Sequence, residues 1–71
     1  MSIETKYFRA ELERMVLLKY GYFDAYERAK TEVYGLQSAM DKMGIPRSRI
    51  RVLQNFAIDF VFSSSEHEVP T

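Results

Sequence analysis

Apolar residues recur every three or four positions from Phe8 to Met43: Phe8, Leu12, Met15, Leu18, Tyr22, Tyr26, Ala29, Val33, Leu36, Met40 and Met43. That spacing keeps one side of a helix apolar. Gly21 and Gly35 are the only helix breakers inside the run. Lys19-Tyr20-Gly21 reads as a helix end, with glycine in the left-handed position after the last turn. Asp24, followed by Glu27, reads as an N-cap with a capping box. Two helices over roughly 3–20 and 24–43 follow, folded back as a hairpin. The rival is one rod passing through Gly21, at a cost of about 1 kcal/mol relative to alanine. Either form leaves Val16, Leu17 and Phe23 off the stripe and in need of a second surface. The second helix stops at Gly44, where Ile45 can fold back onto Met40 and Pro46 bars continuation.

Beyond Pro46 the period changes. Ile50, Val52, Phe56, Ile58, Phe60 and Phe62 alternate with Arg51, Ala57, Asp59 and Val61. Alternation of this kind, rich in β-branched and aromatic residues, is the pattern of strands. A loop at Leu53-Gln54-Asn55 sets Val52 opposite Phe56, Ile50 opposite Ile58, Arg49 opposite Asp59 and Arg51 opposite Ala57. Asn55 then takes the left-handed loop position that asparagine tolerates. The expected fold is α+β, a two-helix hairpin followed by a C-terminal β-hairpin, in an oligomer. It forms one small domain over residues 1–62, with a disordered tail over 63–71. Phe60, Val61 and Phe62 outrun the first strand, opposite Ser48, Arg47 and Pro46, and leave an open apolar edge for another chain.

The stretch from Ala39 through Met43-Gly44-Ile45 to Ile50 and Leu53 also resembles the apolar spacing of a helix-turn-helix. That resemblance implies an all-α fold whose second helix starts near Pro46, a favourable place for proline. Arg47, Arg49 and Arg51 would then lie near DNA phosphates or base edges. Two departures count against it: Met40 is larger than the motif usually keeps at its place, and Val52, Ile58 and Phe62 fall off the apolar face.

Composition narrows the choice of function. Apolar residues make up 46% of the 71-residue chain and aromatics 14%, too much for a disordered segment. A chain this short buries only about 60% of its unfolded surface, so extra stabilisation is expected. With no cysteine and only one histidine, His67 in the tail, disulfides and thiolate metal sites are excluded, and no metal or cofactor is expected. Association with further copies is the remaining route. Ten basic and ten acidic residues cancel, which argues against affinity built on phosphate neutralisation, although Lys42, Arg47, Arg49 and Arg51 cluster without an intervening acid. The mixed charge of Ser2–Lys6 gives no secretory signal, and the Met15–Leu18 run is far too short to span a membrane. A cytoplasmic protein without membrane contact is expected.

No constellation carries catalytic chemistry. Gly21, Gly35 and Gly44 are isolated, so no glycine-rich phosphate loop exists, and no Ser-His or Cys-His nucleophile pair can be assembled. Glu11 and Glu13 read as surface charges of the first helix, and Asp59 as the cross-strand partner of Arg49. The expected function is non-catalytic: a small regulatory or adaptor protein that self-associates and binds another protein. Tyr20, Tyr22 and Phe23 at the helix junction and Phe60 and Phe62 at the strand end are the expected contacts, since aromatics give large contact area at low entropic cost. The alternative is a dimeric helix-turn-helix DNA-binding regulator using Arg47, Arg49 and Arg51. A structural subunit of a larger assembly is a third class, marked by open-ended self-association.

Overall fold

The computed structural model describes the backbone of residues 2–67 and the side chains of residues 2–63. Three helices fill it: α1 (Ile3–Lys19), α2 (Phe23–Lys42) and α3 (Arg47–His67). Ser2 caps α1, its Oγ accepting the Thr5 N–H at 3.2 Å. The junction between α1 and α2 is the hairpin expected from Gly21. Tyr22 N–H donates to the Leu17 carbonyl at 2.9 Å and Gly21 N–H to that of Leu18 at 3.2 Å, with Gly21 at φ 83°. The end of α2 repeats this arrangement. Ile45 N–H donates to Met40 O and Gly44 N–H to Asp41 O, both at 3.0 Å, with Gly44 at φ 86°. Paired bonds of this kind satisfy the carbonyls that a helix end leaves open.

One cap differs from expectation. The N-cap of α2 is Tyr22, which makes no side-chain cap bond, and Asp24 lies inside the first turn. The glycine motif closing α1 already uses Tyr22, so the chain enters α2 at Phe23 with no residue to spare. Asp24 still acts on the positive end of the helix dipole, as an acid in the first turn does.

The larger correction concerns residues 46–62. No strand exists among the described residues, and the expected C-terminal β-hairpin is replaced by α3. Ile50, Ala57 and Val61 are buried, and Leu53 packs against the core, so the true period is three and four. The hairpin register had placed Ala57 on the outer face, opposite Arg51. Its loop needed a left-handed residue at Asn55, yet no non-glycine described residue has positive φ. Asp59 is therefore not the partner of Arg49, whose Nε instead donates to Glu4 Oε2 at 3.0 Å. The helix also continues through 63–67, where a tail was expected, and 68–71 lie outside the described residues.

α1 lies between the other two helices, which touch each other only sparsely. Gln37 reaches Tyr7 and Arg14 reaches Tyr26, so α1 and α2 run antiparallel. Arg49 reaches Glu4, and Lys19 Nζ donates to the Val61 carbonyl at 3.2 Å, so α1 and α3 run parallel. Tyr7, Ala10, Val33, Met40 and Ile50 form the central cluster, with Ile3, Leu36, Ile45 and Leu53 packed around it. The inward face of α1, formed by Tyr7, Ala10, Glu11, Arg14 and Met15, shares only Met15 with the apolar stripe. Tyr7 is buried while Phe8 is only half-buried, and Leu18, Tyr22 and Met43 are exposed.

Candidate functional site

The interior is held in register by polar groups. Glu11, expected on the surface, is wholly buried at 0% exposure. It accepts from Tyr7 Oη at 2.7 Å on Oε2, from Gln54 Nε2 at 3.0 Å on the same oxygen, and from Arg14 Nε and Nη2 at 2.8 Å on Oε1. Arg14 Nη1 donates onward to Tyr26 Oη at 3.2 Å, and Gln37 Nε2 donates to Tyr7 Oη at 3.0 Å. One carboxylate thereby ties all three helices. Burial raises Tyr7 above the ordinary tyrosine pKa, against the bond from Gln37 and with the bond to Glu11. Burial pulls Arg14 down, but the bond to and charge of Glu11, with Tyr26, outweigh it and leave the guanidinium held more firmly. Among the described residues no buried side-chain polar atom lacks a partner. This network is a satisfied structural lock.

The outside is where the molecule is unusual. Tyr20, Tyr22, Phe23, Tyr34, Phe56, Phe60 and Phe62 are exposed, seven of the ten Tyr and Phe residues in the chain. All five expected contact residues belong to this set. Tyr20, Tyr22 and Phe23 are 65%, 64% and 63% exposed at the α1–α2 junction, and Phe60 and Phe62 are 66% and 38% exposed on α3. They form no single patch along the sequence: the first three share a turn, whereas Phe60 and Phe62 point to different sides of their helix, two positions apart. Phe60 belongs instead with Phe8, Leu53 and Phe56, which line a groove of about 410 Å³ between α1 and α3, with Ser2, Glu4, Thr5 and Arg49 along it. Neither Phe8 nor Phe56 is among the expected contacts, because Phe8 falls on the apolar stripe and the strand register sets Phe56 on the apolar face opposite Val52. For Phe56 the signal is the three-and-four spacing of Ile50, Leu53, Ala57 and Val61, which leaves it outside.

The three arginines of the alternative separate. Arg49 joins Glu4 on the α1 side, while Arg47 and Arg51 line a groove of about 470 Å³ between α2 and α3, with Tyr34, Gln37, Ser38, Asp41, Ile50 and Gln54. Arg47 lies 3.7 Å from Asp41 there. Among the described residues no group of three or more His, Cys, Asp and Glu side chains could hold a metal ion. No described helix is long and apolar enough to cross a membrane. Comparison with protein families, with characterised proteins and with solved structures finds no match to this chain.

Proposed function

We propose that this chain is a non-catalytic binding protein that self-associates and engages another protein through its exposed aromatic surface. The observation that carries the reading is the exposure of seven of ten aromatic side chains in a chain whose interior is already closed and satisfied. Large exposed apolar groups scattered singly are ordinary, but side chains gathered along one helix and around one junction mark interaction surfaces. Two such regions suit two contacts, one on α3 beside the α1 groove and one at the α1–α2 junction. We read a regulatory or adaptor role from that division, with Tyr20, Tyr22 and Phe23 as contacts at the junction, Phe60 beside the groove and Phe62 on another side of α3. The rival use of Arg47, Arg49 and Arg51 on DNA draws less support, since Arg49 lies in the groove beside α1 and Arg47 and Arg51 in the groove beside α2, so the three do not form one basic face.

The test is sedimentation over a wide concentration range for the wild type and for two variants, Phe60→Glu and the triple Tyr20→Ser, Tyr22→Ser, Phe23→Ser. Self-association of the wild type that Phe60→Glu weakens supports the reading. A monomer at every concentration overturns its self-association half. Capture of a protein partner by the wild type but not by the triple variant supports the other half, and salt-sensitive DNA binding lost on removing the arginines would replace it.

A further inference from the structure

The outer face of α3 carries a pattern that goes beyond general stickiness. Arg49, Val52, Phe56 and Asp59 follow one another at steps of three, four and three, the spacing of a helix seam that packs against another helix. All four are exposed, and Phe60 flanks them on the side facing the α1 groove. The seam is positive at Arg49, which keeps about half of its side chain exposed beside its own Glu4, apolar at Val52 and Phe56, and negative at Asp59. A surface with opposite charges at its two ends and apolar residues between them is complementary to itself when turned end over end. That is the requirement of an isologous two-fold contact.

We infer that the partner of this face is a second copy of the same chain, packed with the two α3 helices antiparallel, so that Arg49 of each copy meets Asp59 of the other. The same register sets Val52 of each copy opposite Phe56 of the other. It also brings both α1 helices to the same side of the seam, so that Phe60 of each copy lies over the groove formed by Ser2, Thr5 and Phe8 of the other. Phe56 and Phe60 alone expose roughly 250 Å² of apolar surface, about a third of what one partner of a stable interface buries. Val52, Phe8 and the groove rim extend it. A parallel pairing sets Arg49 against Arg49 and Asp59 against Asp59, which like charges oppose. The inference rests on the self-association proposed above and adds its face, its direction and its register. The junction aromatics stay free for another protein.

Charge exchange tests it. The chain has no cysteine, so no covalent cross-link confuses the measured mass. Asp59→Arg and Arg49→Asp are each expected to weaken dimerisation by roughly tenfold or more, because each places like charges at both ends of the seam. An equimolar mixture of the two variants, or the double variant, is expected to restore a dimer. Circular dichroism melting of each variant establishes that it is folded, since Arg49→Asp also loses its bond to Glu4. If the wild type dimerises but Asp59→Arg dimerises as tightly, or the mixture fails to recover, the register is wrong while self-association stands. If the wild type is monomeric throughout, both fail.

Discussion

Glu11 is the side chain on which the three helices converge, and the cost of removing it follows from its burial. Taking one member from a buried, hydrogen-bonded charge pair costs about 3–5 kcal/mol, because the other charge is left without compensation. A chain of this size has a total stability of only about 4–10 kcal/mol. Glu11→Ala is therefore expected to lose most of the folded population in urea titrations. Glu13→Ala, on the exposed side of the same turn, should stay within about 0.5 kcal/mol of wild type. Nothing in the sequence distinguishes these two glutamates except neighbours. Tyr7 and Arg14 at helical spacing were visible, but Gln54 arrives from a helix that the alternating pattern disguised. A pH prediction comes from Tyr7. Its folded pKa is raised, so its contribution is fully present below about pH 10 and is lost as pH rises from there through the raised value. Thermal melts should fall above about pH 10 in the wild type and fall less steeply in Tyr7→Phe. Lys30, held by Glu27 and also raised, titrates in the same direction, which makes the variant the necessary comparison.

At the scale of elements, the helix ends were the most legible feature and α3 the least. Gly21 and Gly44 take left-handed backbone that only glycine adopts freely, so their positions could be read from composition and spacing alone. Gly35 had no capping pattern after it and lies within α2. The contrast is testable. Gly44→Ala should destabilise by about 1 kcal/mol through its positive φ, whereas Gly35→Ala should stabilise by up to about 1 kcal/mol, since nothing lies within 4 Å of the added carbon. Denaturant midpoints of the two variants should move in opposite directions. The error over α3 has a physical cause. A helix that buries Ile50, Ala57 and Val61 on one side and displays Val52, Phe56 and Phe60 on another has too many apolar positions to show a clean helical period. The excess filled the gaps and imitated strand alternation. The face responsible for that ambiguity is the one assigned above to the second copy.

For the whole molecule, the closed polar interior and the open aromatic exterior describe one economy of design. The core cluster is small, and the bundle adds neither disulfide nor, among its described residues, a metal grouping. Burial between copies is then a natural source of further stability, and melting temperature should rise with protein concentration. The expected aromatics were legible as exposed residues and not as surfaces: Tyr20, Tyr22 and Phe23 stay together because they share a turn, while Phe60 and Phe62 diverge because the segment is a helix and not a strand. The most direct measurement of the central claim is a series of amide NMR spectra across a hundredfold dilution. Concentration-dependent shifts confined to residues 49–60 of α3 and the first two turns of α1, with the α1–α2 junction unmoved, are the predicted result. Spectra that do not change with concentration, or changes centred on residues 20–23 instead, would contradict it.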